Sequence, residues 1–317
     1  MAPRVLALLL LLPPLALAFP LENPAFHQLV EDSYAQVPGA PPFLPWLKSA
    51  YRKGFGPSSH GPHAGDLEKA LRQLADRPPL EAATWAFQVV KRLLPRFSLE
   101  EGYEFAYAAL KGERQCLLQA TLVQGLLESM GFTAGIFMVW ENPQGQESNL
   151  GHAVAVLRLK GKDYLVDPSE PTPFPRHLGV FLSTEEGYRF AEPIYAHDGA
   201  IVAYRIQGKR RLPSEVKPLP YAFVRSPFYY YRGEQALGGV LKPPRAPSGL
   251  ARSEAMLRRA VALDPQNPLA RYLLGLTLVK ERKGTEAKSL LLEAHALYRA
   301  YGHVPRGVAA ILQGLCL

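Results

Sequence analysis

The chain has 317 residues, which is enough for one to three domains and at least one sizeable hydrophobic core. Hydrophobic residues make up 48% of it and charged residues 20%, a composition that excludes a disordered chain. The net charge of +8 favours anionic partners. The longest basic run is only Lys209-Arg210-Arg211, and the chain carries no recognisable nucleic-acid-binding module. We therefore predict weak contact with anionic envelope surfaces and no nucleic-acid partner.

The first residues have the pattern of an export signal. Arg4 precedes an apolar run over residues 5–12, and Ala16-Leu17-Ala18 supplies the small residues that a signal peptidase reads. A retained membrane anchor is the alternative, but it needs about 20 apolar residues, and Pro13-Pro14 interrupts the run. We predict that residues 1–18 are a signal peptide. The mature chain would then begin at Phe19 and lie outside the cytoplasm, in the periplasm or secreted.

A helical region follows the signal. Residues 19–65 mix Pro, Gly and short apolar segments, which predicts an irregular arm with one or two helices. Helices are then predicted from Asp66, over about 80–94, and after Ser98. A fourth helix begins near Gln115 or Cys116 and ends at Gly131.

Strand patterns follow this fourth helix. We predict strands over 132–140, 151–159 and 164–167, with further short strands over 201–207 and 221–224. Both faces of the segment 151–159 are apolar, which indicates a central position in a sheet. The sequence therefore predicts an α+β domain over residues 66–241, with a helical lobe and an antiparallel sheet. The Pro-rich segment 242–251 is predicted to be a linker.

The last part of the chain, 252–317, carries a weak internal repeat. Ser253 and Ala287, Leu257 and Leu291, and Ala260 and Ala294 recur with a period of 34 residues. About 50 residues here resemble tetratricopeptide repeats, although Arg271 occupies the usual tryptophan position. We predict three antiparallel helices over about 252–300 that offer a surface to a protein partner. An ordinary helical hairpin that caps the preceding domain is the alternative.

Three residues in chain order suggest acyl chemistry: Cys116, His152 and Asp167. A thiol at a helix start faces the positive end of the helix dipole, which favours the thiolate. An imidazole takes the thiol proton and later gives it to the leaving group. A carboxylate on the next strand fixes the tautomer of the imidazole. Each residue alone is more often structural, but the combination on a helix, a strand and a strand favours a catalytic triad. We expect the Cys116 side chain to border a cleft and bury little surface.

This arrangement depends on the turn between the last two of these strands. A four-residue loop over 158–161 places His152 directly opposite Asp167, with Cβ atoms ~5 Å apart. A two-residue turn at 161–162 keeps them on one face but shifts them two positions out of register. The proposed chemistry therefore predicts the longer loop.

Residues from about 103 to 170 resemble the transglutaminase-like branch of the papain-type cysteine superfamily. The resemblance lies in a cysteine at a helix start, a histidine strand, and a strand that ends in Asp167-Pro168. It implies that Cys116 is the nucleophile, His152 the base and Asp167 the orienting acid. It also implies hydrolysis or acyl transfer on peptide or protein amides through a cysteine thioester. We predict no cofactor, and the sequence leaves a calcium requirement open. The chain departs from the family at two places. It has Val154 where the family often has an aromatic residue, and it has no acidic residue at 117–119, where the family often has one.

Other features are weaker candidates. His60, His63 and Asp66 suggest a metal site, but the intervening Gly and Pro favour a mobile loop. The run 228–232 suggests a stacking surface, although a strand packed on a core is the better interpretation. Tyr103 and Tyr107 are candidates for lining the cleft. A non-catalytic transglutaminase-like module that binds protein remains the alternative function.

Overall fold

The structure, a computed structural model, describes residue 21, residues 23–56 and residues 65–314. The predicted signal peptide, His60, His63 and Cys316 lie outside these ranges. The helices are α1 (Pro24–Gln36), α2 (Phe43–Gly54), α3 (Leu67–Ala75), α4 (Pro79–Leu93), α5 (Phe105–Lys111), α6 (Cys116–Ser129), α7 (Tyr221–Glu234), α8 (Pro247–Leu263), α9 (Pro268–Lys280), α10 (Gly284–Tyr301) and α11 (Arg306–Gly314). The strands are β1 (Arg96–Phe97), β2 (Glu113–Arg114), β3 (Thr133–Glu141), β4 (Glu147–Leu159), β5 (Lys162–Val166), β6 (Gly179–Thr184), β7 (Gly187–Tyr195), β8 (Ile201–Ile206), β9 (Lys209–Arg211) and β10 (Val216–Lys217).

Six antiparallel strands close into a barrel. Their order is β6-β3-β4-β5-β8-β7, and β7 pairs back onto β6. The predicted α+β class is confirmed, whereas the sequence did not predict closure of the sheet. The barrel interior has its own apolar core, to which Phe137, Val154, Val156, Leu165, Val180, Leu182 and Tyr204 belong. A second core lies between the outer face of the barrel and the helices.

Strand β4 is central, as predicted, and pairs with β3 on one side and β5 on the other. The predicted hairpin register is wrong. Leu159 pairs with Lys162, so the turn has two residues, Lys160 and Gly161. Gly161 has a φ of 74°, a conformation that glycine adopts without strain. Continuing this register past Val166 puts Asp167 opposite Val154, one diagonal position away from His152, and long side chains at such positions still reach each other.

Helix α6 begins at Cys116 because Gln115 caps it. Gln115 has an extended backbone, and its side-chain Oε1 accepts a hydrogen bond from Leu117 N at 2.9 Å. The helix ends before Gly131, whose φ of 82° stops it as predicted. Nearly every side chain of α6 is buried, because the helix lies between α4 and the strands β3 and β4. This burial fixes the direction of its N-terminus relative to the barrel.

Two predicted elements differ from the structure. The predicted strand over 221–224 is wrong, as is the strand interpretation of the aromatic run 228–232. Both segments belong to helix α7, which buries Phe223, Phe228 and Tyr230. The run is apolar on several sides because α7 packs against both the N-terminal helices and α8, so an apolar stretch here does not distinguish helix from strand.

The last four helices, α8–α11, follow α7 in sequence. Helices α8–α10 occupy the region where three helices are predicted.

Glycine permits close packing at two contacts between these helices. A Cβ atom at Gly275 of α9 would lie 2.7 Å from Leu291 Cγ, and one at Gly233 of α7 would lie 2.7 Å from Leu257 Cγ. Leu257 and Leu291 are the positions that repeat in the sequence. Helix α7 therefore packs on α8 much as α9 packs on α10, although the predicted linker lies between α7 and α8.

This helical segment also docks on the barrel. Tyr188 Oη donates to Asp264 Oδ2 at 2.5 Å in a buried contact, and the imidazole of His303 stacks on Trp140 with 4.2 Å between ring centroids. His303 Nε2 also lies 2.6 Å from Glu147 Oε1. Within the described ranges, none of the helices combines the length and the apolar character needed to span a bilayer.

Candidate active site

Cys116 is the first residue of α6, and its thiol is free. The residue is only 7% exposed, so the expectation of a largely exposed side chain is wrong. The burial arises from helix α7, whose Tyr231 places its hydroxyl oxygen 3.8 Å from the sulfur. Tyr231 in turn stacks on Tyr103, with 5.4 Å between ring centroids. Tyr103 therefore lies behind the ring that covers the thiol.

His152 and Asp167 meet at adjacent strand ends. His152 Nε2 lies 2.7 Å from Asp167 Oδ2. Along β4, His152 shares a face with Val154 and Val156, and Asp167 follows β5 on the face of Leu165. Asp167 is buried, whereas 23% of the His152 side chain remains exposed. The imidazole therefore connects a buried carboxylate to the protein surface.

The three predicted residues form a continuous chain of contacts. The Cys116 sulfur lies close enough to the His152 imidazole to raise the pKa of that imidazole. Because Nε2 is directed at Asp167, Nδ1 is the nitrogen left for the thiol. Burial lowers the pKa of His152, but the charge of Asp167 and the sulfur of Cys116 outweigh burial, and the pKa lies well above its usual value. The arrangement thus favours a protonated imidazole beside the carboxylate of Asp167.

A second imidazole, from His177, was missed by the sequence analysis. His177 is 1% exposed, and its Nε2 lies 2.9 Å from the same Asp167 Oδ2. Ser169 N donates to the other carboxylate oxygen at 2.8 Å. Burial alone would raise the pKa of Asp167, but the charge and hydrogen bond of His152 and the hydrogen bond from His177 lower it well below its usual value. Asp167 is therefore held as a carboxylate.

His152, Asp167 and His177 also have the chemistry of metal ligands. One ligand atom from each lies within 4.8 Å of the others. Two ligand bonds of ~2.0–2.1 Å at a tetrahedral angle separate the ligand atoms by ~3.3 Å. The distances of 2.7 and 2.9 Å from the imidazoles to the carboxylate oxygen are shorter. They suit shared protons better than a bound ion.

Gln119 lies in α6, one turn after Cys116, and connects this helix to the loop that follows Asp167. Its Nε2 donates to Ser169 Oγ at 3.2 Å, and its Oε1 accepts from Arg114 Nε at 3.1 Å. Arg114 also donates to the carbonyl of Leu94 at the end of α4. A neutral side chain thus occupies the region after the cysteine where the resembled family often has an acidic one.

A small apolar cavity of about 50 Å³ lies beside the histidine. Gly151, which directly precedes His152, is part of its wall, as is Tyr230 of α7. Leu269 and Pro305 contribute from the C-terminal helical segment. The cavity is therefore bounded by the barrel, by α7 and by the C-terminal helices together.

The remaining candidates do not join the site. Asp66 caps α3, where its Oδ1 accepts from Lys69 N at 3.0 Å, and its two predicted histidine partners lie outside the described residues. Tyr107 lies under the ammonium group of Lys111, 4.3 Å from the ring centroid. Tyr103 contacts Tyr231, which in turn contacts the Cys116 thiol.

No protein-family model matches the chain, and no curated protein matches it.

Proposed function

We propose that the protein is a transglutaminase-like thiol acyltransferase or hydrolase that acts on peptide or protein amides through a Cys116 thioester. The observation that carries the proposal is the chain of contacts from the Cys116 sulfur through His152 to the buried carboxylate of Asp167. Isolated structural cysteines have no need of a buried carboxylate that orients a neighbouring imidazole.

The reaction follows from this geometry. The Cys116 sulfur, with its proton on His152, attacks the carbonyl carbon of an amide. The tetrahedral intermediate expels the amine, which takes the proton from the imidazolium, and a thioester remains. Water or an amine then attacks the thioester while His152 accepts the proton of the incoming nucleophile. The C–S bond breaks, which releases the acid or the new amide and restores the Cys116 thiolate beside the imidazolium. Asp167 stabilises the imidazolium in each half-reaction and keeps Nδ1 directed at the sulfur.

The test uses an amine that reports acyl transfer. Purified mature protein is incubated with a protein extract and biotin-cadaverine, and labelled proteins are detected with streptavidin. The expected result is labelling by the wild-type chain and none by Cys116→Ala. In parallel, iodoacetamide should modify Cys116 at pH 6.5 much faster than a free thiol peptide. A sluggish thiol together with no labelling and no peptide hydrolysis would favour the non-catalytic binding module instead.

We also propose that the protein is exported and that the helices after residue 251 form a tetratricopeptide-like surface for a protein partner. The export proposal depends on residues 1–18, and N-terminal sequencing should find Phe19 as the first residue of extracytoplasmic protein. Met1 on the bulk cytoplasmic protein would contradict it. The proposal of a repeat surface is supported by the recurrence of Leu257 and Leu291 at glycine-mediated helix contacts.

A further inference from the structure

A polar cavity of about 500 Å³ lies beside the end of helix α7. This volume is in the range of ligand-binding pockets. Its walls include the segment 100–107, the end of α7 and the start of α8. Tyr103 lines the cavity and stacks on Tyr231, whose hydroxyl contacts the Cys116 thiol. The cavity is therefore a second site, connected to the candidate active site through one pair of aromatic rings.

The wall of this cavity contains a buried arginine with an unused donor. Arg232 is 5% exposed, and its Nε and Nη2 donate to the two carboxylate oxygens of Glu104 at 2.7 and 2.8 Å. Its guanidinium carbon lies 4.7 Å from the centroid of the Tyr229 ring. The third nitrogen, Nη1, is buried and has no hydrogen-bond partner among the described residues. Because a buried donor without a partner is costly, a ligand oxygen that accepts from Nη1 would be bound favourably.

An unused acceptor lies next to this donor. Gln235 also lines the cavity, and its Nε2 donates to Glu234 Oε1 at 3.0 Å. Gln235 Oε1 is buried and accepts no hydrogen bond within the described ranges. Arg232 and Gln235 are three residues apart at the end of α7, a spacing that puts two side chains on one face of a helix. The wall therefore offers a buried donor and a buried acceptor side by side.

The cavity also carries a positive charge that no acidic residue neutralises. Three acidic and three basic residues line it. Each acidic residue is paired with a cation: Glu100 with Lys242, Glu101 with Lys111, and Glu104 with Arg232. Arg252 of α8 is exposed and forms neither an ion pair nor a hydrogen bond with any residue that the structure describes. An anionic ligand would therefore meet a free cation in addition to the buried donor.

We propose that this cavity binds an N-acyl amino acid, as a small molecule or as the last residue of a peptide chain. The ligand carboxylate accepts from Arg232 Nη1 and pairs with Arg252, and the N–H on the neighbouring carbon donates to Gln235 Oε1. A simple inorganic anion lacks this N–H, and an uncharged amide lacks the carboxylate. Leu237, which lines the cavity and is 87% exposed, offers apolar surface to the ligand side chain. The inference goes beyond the acyl-transfer function and does not depend on it.

The experiment compares three ligands of similar size on the full mature chain with Cys116→Ala, which prevents turnover. N-acetyl-L-leucine has both groups, N-acetyl-L-leucinamide lacks the carboxylate, and 4-methylpentanoate lacks the N–H. In ligand-observed NMR titrations, N-acetyl-L-leucine should bind about ten- to a hundredfold more tightly than its amide and about two- to tenfold more tightly than 4-methylpentanoate. Tighter binding of acetyl-Gly-Gly-Leu would identify a peptide end as the ligand, and equal affinity would identify the small molecule.

Variants of the cavity wall assign each contact. Arg252→Ser should weaken N-acetyl-L-leucine about two- to fivefold and leave the amide unchanged. Gln235→Met should weaken N-acetyl-L-leucine but not 4-methylpentanoate, a difference that general misfolding would not produce. Arg232 is replaced together with Glu104, as Glu104→Leu with Arg232→Met, so that no buried charge is left unpaired. This double variant should lose the preference for the carboxylate. Arg299→Ser, at an exposed position of α10 outside the cavity, is the control and should bind like the parent chain.

Several results would overturn the inference. These are equal binding of N-acetyl-L-leucine and its amide, no binding of either, equal affinity for acetate, or parental affinity in the double variant. None of them concerns the Cys116 thiol, whose function is tested separately by labelling with biotin-cadaverine. The proposed function and this inference can therefore fail independently of each other.

Discussion

Replacing Asp167 with asparagine should slow the reaction of the Cys116 thiol, because all three contacts of the carboxylate come from donors. His152 Nε2 and His177 Nε2 share one oxygen, and Ser169 N donates to the other. An asparagine must direct its NH₂ at one of these donors. In either orientation the negative charge beside His152 is lost, and in one of them the imidazole is forced into the wrong tautomer.

The size of the expected rate loss follows from the hydrogen bond between His152 and residue 167, whose acceptor loses its charge in the variant. A hydrogen bond to a charged group contributes about 1.5–3 kcal/mol. At about 1.4 kcal/mol per factor of ten, the imidazolium beside the sulfur should be populated about ten- to a hundredfold less. Because this imidazolium stabilises the thiolate, alkylation of Cys116 at pH 6.5 should slow by a similar factor.

The assay is the rate of iodoacetamide alkylation in a Cys316→Ser background, so that only Cys116 reacts. Asp264→Asn is the matched control, because Asp264 is also buried but accepts from Tyr188 instead of an imidazole. Its alkylation rate should equal that of the parent chain. If Asp167→Asn reacts as fast as the parent chain between pH 6 and 7, Asp167 does not control the charge of the imidazole, and the reasoning fails.

Three further predictions concern the pH dependence and the stability of the fold. The raised pKa of His152 implies that its ion pair stabilises the folded protein fully below pH ~6.5 and that this stabilisation is lost as pH rises through the raised pKa. An NMR titration of its ring protons should therefore have a midpoint above the usual histidine value of ~6.5, and a midpoint at or below that value would contradict this assignment. Glu104→Gln removes the partner of the buried Arg232 and should cost about 3–5 kcal/mol in urea unfolding, whereas replacing both residues by apolar ones should recover most of the loss. Gly275→Val should lower stability by about 1–3 kcal/mol, because its Cβ would lie 2.7 Å from Leu291 Cγ, and an unchanged melting temperature would argue against this close contact.

Local signals in the sequence were sufficient to predict several helices and strands. The helix that begins at Cys116 and ends before Gly131 follows from a continuous apolar run with a glycine stop. The central position of β4 follows from its two apolar faces. The three helices predicted over about 252–300 correspond to α8–α10 and follow from helical periodicity and from Pro268 at a helix start. These features depend on neighbours in the chain, which a single sequence displays directly.

Features that depend on distant contacts were not predictable in the same way. A helix and a strand could each bury the same aromatic run. The packing of this segment against α8 favours the helix α7. The hairpin register depends on the conformation of Gly161, and the shorter turn moved Asp167 from opposite His152 to a diagonal position. His177 has no periodic or motif signal, since it reaches Asp167 only through the fold of the loop before β6.

The sequence by itself determined which residues bear the proposed chemistry: a thiol at a helix start, a histidine within a strand and an aspartate after the next strand. Tertiary structure alone decided how these residues are assembled. Closure of the barrel and burial of α6 against β3 and β4 bring the thiol to the imidazole, and the loop before β6 adds a second imidazole to Asp167. The physical reason is that helix and strand preferences act over a few residues, whereas the distances within the site are set by packing between segments far apart in the chain.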